Sequence, residues 1–119
     1  MSIINSLKGQ TRIQRVFKEG KSVFLFPFKI IYLESQNNNN QINIDVSIWV
    51  GKRYLRKAVD RNKVKRRIRA ALQMHEQELF GLNFHSMDCI CIYVGKEVLD
   101  FKIIETTLLK VGKRIKHRS

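Results

Sequence analysis

The chain has 119 residues, and 23 lysines and arginines against 10 aspartates and glutamates give it a formal net charge of +13. Its length fits one domain over residues 1–119, and its 44% hydrophobic content is too high for a disordered basic tail, so we expect a folded core. It has no apolar run near the roughly 18 residues of a membrane span, and its start lacks a signal-peptide layout. These features predict a cytoplasmic protein.

The first predicted element is a short helix over residues 12–19. Thr11 and Gln14 fit a capping box, in which two side chains cap backbone amides at the start of a helix. Apolar residues follow at i, i+3, i+4 spacing: Ile13, Val16 and Phe17. Gly20 is placed to end this helix.

Two strands are predicted next. The apolar segment Val23–Leu33 is interrupted by Pro27, which indicates an edge or bulged lead-in before a firmer strand over Phe28–Leu33. The polar tract Ser35–Gln41 is typical of a hairpin loop, and any further role of its four asparagines stays open. Strict alternation of apolar and polar residues over Ile42–Val50 predicts a half-buried strand.

The basic residues cluster after this strand. Between Lys52 and Arg69 there are ten lysines and arginines and one acid, Asp60, so this window holds +9 of the net charge and the other 101 residues hold +4. An ordinary solvated helix face mixes charge signs for i, i+4 pairing, and this window barely does. Because so dense a patch repels itself unless a polyanion neutralises it, we expect a nucleic acid as partner.

Gly51–Lys57 is predicted to be a basic connector, and a long helix is predicted to start near Asp60. Its apolar positions lie on one side of a helical wheel: Val64, Ile68, Ala71, Leu72 and Leu79. Basic residues fan out over the other side: Lys63, Lys65, Arg66, Arg67 and Arg69. Arg61 is the exception, since it projects toward the apolar side in the first turn. Basic residues in a first turn oppose the helix dipole, and bound phosphate would offset that cost.

The last part of the chain contains a loop, a strand and a helix. The loop covers Gly81–Ser86, and Cys89–Val94 is apolar on both faces, as in a central strand covered by helices. Cys89 and Cys91 fit buried strand positions better than a redox or metal pair. A final helix, capped by Asp100, carries one apolar stripe: Phe101, Ile104, Leu108, Val111 and Ile115. Residues 112–119 form a basic end that is expected to fray.

The sequence offers no catalytic site of its own. His75, His85 and His117 lie far apart without a zinc-ligand spacing, and His75 fits a boundary position on the long helix better than a catalytic role. Glycine-rich phosphate loops and nucleophile elbows are missing from the sequence. If the protein takes part in catalysis, the catalyst is expected to be something that it binds.

The segment Ala58–Arg69 carries the motif AV-x-RN-x-x-KR-x-x-R, and with it the chain resembles the bacterial ribonuclease P protein family. The likeness extends to RIQRVFKEGKSV at the start, DVSIWVGKR before the basic helix and DCICIYVGK after it. The predicted order, α-β-β-α-β-α, fits the fold that this resemblance implies. That fold is α+β, a two-layer sandwich with a small mixed sheet of four strands and a left-handed β-α-β crossover, the arrangement named after a ribosomal protein domain.

The resemblance also implies a function. Proteins of this family join a large catalytic RNA that removes the 5′ leader from precursor tRNA, and the RNA with bound Mg²⁺ performs the hydrolysis. The expected partners are therefore the ribonuclease P RNA and precursor tRNA, and the protein alone is expected to be a monomer. Matching positions imply contacts to the catalytic RNA by six residues: Lys57, Arg61, Asn62, Lys65, Arg66 and Arg69. They imply a leader cleft lined by six others: Ile13, Phe17, Lys29, Ile31, Lys52 and Arg53.

Some positions depart from the family pattern, and other functions are conceivable. Ile13 stands where a second aromatic residue is usual, and Gly51 replaces a common serine. Trp49, on the polar-patterned face of its strand, is interpreted either as a leader contact or as packing under a helix. The main alternative function is a small basic ribosomal protein that binds rRNA. A nuclease acting alone and a peripheral membrane protein are less favoured, because the chain lacks catalytic residues and its basic helix lacks a face rich in Trp and Phe.

Overall fold

The computed structural model describes residues 4–35, 43–80 and 86–118. The elements in chain order are β1 (Ile4–Ser6), α1 (Gln10–Glu19), β2 (Lys21–Leu25), β3 (Phe28–Ser35), β4 (Ile44–Val50), α2 (Ala58–Met74), α3 (Glu76–Phe80), β5 (Ser86–Tyr93) and α4 (Phe101–Arg118). Most of the predicted hairpin loop 35–41, the start of its following strand at Ile42, and the predicted loop at 81–85 with His85 lie outside the described residues.

The strands form one mixed sheet in the order β1-β4-β5-β3-β2. β4 runs parallel to β1 and to β5, whereas β3 runs antiparallel to β5 and to β2. The predicted α+β class with a small mixed sheet is confirmed, and α2 lies in the crossover between the parallel strands β4 and β5. The sheet has five strands where the resemblance implied four, because the short β1 adds itself beside β4. β1 has only three residues, which are too few for an alternating pattern to predict a strand.

The two faces of the sheet are covered differently. One face packs against α2 and α4 around the main core, to which Phe28, Ile30 and Tyr32 of β3 contribute. The other face packs against α1 in a smaller cluster made of Leu7, Val16, Ile31 and Ile90. β3 therefore alternates between the two faces, and β5, at the centre of the sheet, contributes to both clusters. The edge position predicted for the segment before Pro27 is confirmed, since β2 is the outermost strand.

The helix starts differ from the prediction. α1 begins at Gln10, and its N-cap is Gly9, whose φ of +100° is a conformation that other residues rarely adopt and whose cap has no side-chain hydrogen bond. Thr11 lies inside the helix, so the predicted capping box is wrong. α2 begins at Ala58 rather than near Asp60, and Asp60 sits in its first turn.

The end of the long helix also differs. The helix breaks at His75, and Leu79, which was predicted on its apolar stripe, belongs to the separate helix α3. Leu79 is nevertheless buried, because it packs against Gly112 of α4. The contact is so close that a Cβ atom at position 112 would lie 2.5 Å from Leu79 Cδ2. α4 is helical as far as Arg118 and Ile115 is buried, while the fraying predicted for residues 112–119 stays a prediction.

Both cysteines are free and buried, as predicted. Burial raises the pKa of Cys89 to about 12, and burial, together with the neighbouring Cys89, raises the pKa of Cys91 well above its usual value. Neither thiol is therefore a nucleophile at neutral pH. Among the described residues, the helices are all too short or too polar to cross a membrane.

Candidate nucleic-acid interface

Helix α2 turns its polar side away from the sheet. Its buried side chains are Val64, Ile68, Ala71 and Leu72, as the apolar periodicity predicted. Asn62, Arg66 and Arg69 lie on the opposite side and are exposed, with Lys65 half-buried beside them. We call these four residues, together with the exposed N-cap residue Lys57, the basic face. Guanidinium and ammonium groups presented along one helix face are suited to successive phosphates of a nucleic-acid backbone.

Arg61 has a different position from the other residues expected to contact RNA. It is half-buried, and its Nη1 donates hydrogen bonds to the carbonyl oxygens of Leu55 at 2.9 Å and Arg56 at 2.8 Å. Leu55 is itself buried. Arg61 thus fixes the connector between β4 and α2, which explains why a charged residue lies toward the apolar side of the helix.

Arg67 is a second arginine with a structural contact. Its Nη1 donates a hydrogen bond of 2.6 Å to the carbonyl oxygen of Leu99, in the segment before α4. The helical wheel placed Arg67 among the residues that face a ligand, and it could not show that another segment packs there. Arg66, its exposed neighbour in sequence, points away from that contact.

The face of the sheet that carries α1 holds a row of side chains in register across four strands. Phe24 of β2 pairs with Lys29 of β3, Lys29 pairs with Ile92 of β5, and Ile92 pairs with Trp49 of β4. Directly paired residues project on the same side of a sheet. Phe24 and Trp49 are 57% and 39% exposed, and Lys29 is also exposed.

Phe17 of α1 stands beside one end of this row. Its ring centroid lies 5.4 Å from that of Trp49 with an angle of 58° between the planes, and Phe17 is 44% exposed. The indole Nε1 of Trp49 donates a hydrogen bond of 2.6 Å to Ser47 Oγ on the same strand. We call Phe17, Trp49, Ile92, Lys29 and Phe24 the aromatic cleft. Trp49, which the sequence left open between two interpretations, is a partly exposed wall of this cleft.

The two isoleucines expected in the cleft lie deeper. Ile31 is 6% exposed and packs under α1 with Val16 and Ile90. Ile13 is half-buried against the same cluster. Ile31 supports α1 from the sheet, and Ile13 is a residue by which α1 packs onto it, so neither offers a broad surface for a base.

Lys52 and Arg53 are exposed in the connector that follows β4. The guanidinium carbon of Arg53 lies 5.9 Å from the centre of the Tyr54 ring, within the range of a cation–π contact. Lys52 comes only three residues after Trp49 and five before Lys57. The connector thus places positive charge between the aromatic cleft and the basic face.

Arg12 ties the first turn of α1 to the sheet, a contact that sequence reasoning missed. Its Nη2 donates to Asp45 of β4 at 2.6 Å and to Asp88 of β5 at 2.5 Å. These hydrogen bonds raise the pKa of Arg12 further above its usual value. The two carboxylates are cross-strand neighbours, and only the pairing of β4 with β5 brings them together.

Comparison with known proteins gives one consistent answer. The family model described as Ribonuclease P matches residues 1–116. The chain is 32% identical over 107 residues to the ribonuclease P protein component of Streptococcus agalactiae serotype Ia, covering 90% of both chains. The RNase P protein of Staphylococcus aureus superposes with a TM-score of 0.74 at 26% identity, covering 98% of this chain and 97% of that one. The RNase P protein of Thermotoga maritima has the same TM-score at 25% identity, covering 92% and 96%.

Proposed function

Because the chain belongs to the ribonuclease P protein family, we propose that it is the protein subunit of a tRNA-processing endoribonuclease whose RNA subunit carries the catalysis. In this role the protein binds the catalytic RNA and the 5′ leader of precursor tRNA, and it promotes removal of the leader to give the mature 5′ end. The observation that carries the proposal is the presence, on one small domain, of an outward-facing basic helix on one face of the sheet and a partly exposed aromatic cleft on the other, linked by the basic connector.

The basic face is the surface that we assign to the catalytic RNA. Asn62, Arg66 and Arg69 follow one another at i+4 and i+3, so they line one side of α2 over about 10 Å of helix axis. Guanidinium groups bind phosphate oxygens in a bidentate manner, while the amide of Asn62 adds a directional hydrogen bond. The positive end of the α2 dipole lies at the N-cap residue Lys57 and favours phosphate at that end of the basic face.

The aromatic cleft is the surface that we assign to the leader. A base stacked on Phe17 or Trp49 gains about 1–3 kcal/mol with little sequence preference, which suits leaders of many sequences. Lys29, in the same row, would neutralise a leader phosphate. The exposed connector residues Lys52 and Arg53 would screen the repulsion between the leader and the catalytic RNA.

Mg²⁺ belongs to the RNA in this proposal. Over the described ranges 4–35, 43–80 and 86–118, histidine, cysteine, aspartate and glutamate side chains form no group of three or more that could hold a metal ion. One pair of neighbouring carboxylates, Asp45 with Asp88, is bridged by the guanidinium of Arg12. The contribution that we propose for the protein is binding and charge screening, which lowers the Mg²⁺ concentration needed for cleavage.

The decisive experiment is cleavage of a labelled precursor tRNA by the cognate ribonuclease P RNA at low Mg²⁺, with and without the protein. We expect the protein alone to be inert and the mixture to cut at the mature 5′ end. An inert mixture, combined with co-sedimentation of the protein with ribosomes, would favour the ribosomal-protein alternative. Cleavage by the protein alone would instead indicate a nuclease with its own active site.

Salt dependence provides a second test, for the basic face. The logarithm of the affinity for the catalytic RNA should fall linearly with the logarithm of salt concentration, by about 0.7–0.9 per phosphate contact. Affinity that does not change with salt would contradict the electrostatic part of the proposal.

A further inference from the structure

Helix α1 is attached to strand β4 at two separate places. Near the start of the helix, Arg12 bonds Asp45, and near its end Phe17 contacts Trp49. Asp45 and Trp49 lie four residues apart on the same face of β4, which corresponds to about 13 Å along the strand. The position of the Phe17 ring above the sheet therefore depends on how the first turn of α1 is held.

The attachment by Arg12 is stronger than a typical surface ion pair, because one guanidinium serves two carboxylates. Asp45 and Asp88 are direct neighbours across β4 and β5, and their side chains are only 18% and 19% exposed. Like charges directly opposite each other in a sheet repel and destabilise it. Arg12 offsets this repulsion only while α1 is packed on the sheet. The two carboxylates therefore attract the first turn of α1 to the sheet.

A contrasting pair occurs on the same helix. Arg15 forms an ion pair of 2.9 Å with Glu19 one turn later, and both side chains are largely exposed. This pair lies within α1 and makes no link to the sheet. Arg12 and Arg15 thus carry the same charge on the same helix, but only the contact of Arg12 can set the distance between helix and sheet.

We propose that Arg12, Asp45 and Asp88 form a latch that holds α1 at the height required for a base to stack on Phe17 and Trp49. This inference rests on the leader-binding function proposed for the aromatic cleft. It makes Arg12 a positioning residue for the leader, which acts through α1 and not through contact with the RNA. Opening the latch widens the cleft and leaves the basic face on α2 untouched.

The test compares four variants: Arg12→Gln, Arg12→Lys, the double variant Asp45→Asn/Asp88→Asn, and the matched control Arg15→Gln. Trp49 is the single tryptophan of the chain, so its fluorescence reports on the cleft directly. The measurements are acrylamide quenching of this fluorescence, affinity for the catalytic RNA, and the preference of the reconstituted holoenzyme for precursor over mature tRNA.

We expect Arg12→Gln and the double asparagine variant to increase the quenching of Trp49. Both should reduce the preference for precursor tRNA by about fivefold or more, the smaller end of the effect of one lost stacked base. Arg12→Lys should retain most of the preference. The affinity of Arg12→Gln for the catalytic RNA should equal that of Arg15→Gln, because both variants lose one charge from α1.

Two results would overturn the latch. If Arg12→Gln loses the preference while the double asparagine variant keeps it, Arg12 contacts the leader directly. If the fluorescence quenching and the precursor preference of Arg12→Gln match those of Arg15→Gln, Arg12 does not position α1 over the cleft. Should Arg12→Gln fail to fold, the double asparagine variant carries the test, because it removes the carboxylate repulsion together with the latch. A wild-type holoenzyme without any preference for precursor tRNA would instead overturn the proposed leader function itself.

Discussion

The ring of Phe17 on α1 and the ring of Trp49 on β4 lie 5.4 Å apart at an angle of 58°. Their residues are 32 positions apart in sequence and belong to different layers. Phe17 and Trp49 are 44% and 39% exposed, so the pair is neither buried in the core nor made of two isolated surface residues. The exposed part of each ring offers a planar base a surface on which to stack.

This relationship predicts that both rings contribute to leader binding. Phe17→Ala and Trp49→Ala should each reduce the preference of the holoenzyme for precursor over mature tRNA, by about 1–3 kcal/mol for each stacked base that is lost. Ile103→Ala on α4 is a matched control, because Ile103 is an equally exposed apolar residue on the opposite layer. Titration of the holoenzyme with both tRNA forms measures the effect. Equal losses for Ile103→Ala would contradict the assignment.

Neighbouring arginines on α2 should behave differently. Arg66→Ala should weaken binding of the catalytic RNA and lower the salt slope by about 1, because it removes a phosphate contact. Arg67→Ala should instead lower the free energy of unfolding by about 1–3 kcal/mol, since it removes the charged donor from the Leu99 carbonyl. Filter binding at several salt concentrations and urea unfolding separate the two effects. The assignment fails if Arg67→Ala lowers the salt slope more than Arg66→Ala does.

His75 should make stability depend on pH. Its Nε2 lies 2.8 Å from Glu105 of α4 and its Nδ1 lies 3.1 Å from Glu78 of α3. The carboxylates of Glu105 and Glu78 raise the pKa of His75 above its usual 6.5, and His75 lowers the pKa of Glu105 below its usual 4.5. The contribution of His75 to the free energy of unfolding is complete below pH 6.5 and is lost as pH rises through the raised pKa of His75. The contribution of Glu105 is complete above pH 4.5 and is lost as pH falls through the lowered pKa of Glu105.

The difference in unfolding free energy between wild type and His75→Gln should therefore be largest between pH 4.5 and 6.5. Urea unfolding of both proteins across pH 4 to 9 checks this expectation, with circular dichroism as the readout. A difference that grows continuously toward high pH would show that the histidine contributes as a neutral side chain.

Gly20 should be intolerant of a side chain. A Cβ atom there would lie 2.4 Å from the carbonyl oxygen of Val16 and 2.9 Å from that of Tyr32, so backbone would have to move. Gly20→Ala is expected to destabilise the protein by about 1–3 kcal/mol, as overpacking does. At Gly51 the nearest atom is 3.8 Å away, and Gly51→Ala should change stability little. Thermal unfolding of the two variants compares them directly, and similar melting temperatures would count against this packing.

Much of the architecture follows from local patterns. The alternation over β4 and the apolar stripes of α2 and α4 fix which side of each element is buried, since strand and helix periods differ. The concentration of charge on α2 is likewise a property of the sequence, and it predicts a polyanionic partner without knowledge of the fold. The short strand β1 escaped prediction because three residues hold too little periodic signal, and the break at His75 that separates α3 from α2 was not predicted.

Contacts between distant segments were decided by tertiary structure alone. On a helical wheel Arg67 resembles Arg66 and Arg61 projects toward the apolar side, but the wheel shows no partner for either, whereas carbonyl groups of the segment before α4 and of the connector bind them. The pairing of β4 with β5 places Asp45 beside Asp88 under Arg12, and the packing of α1 brings Phe17 to Trp49. A sequence determines which side chains face outward, because that depends on local period. Which of them meet depends on strand order and helix docking, and those are set by the burial of the whole core.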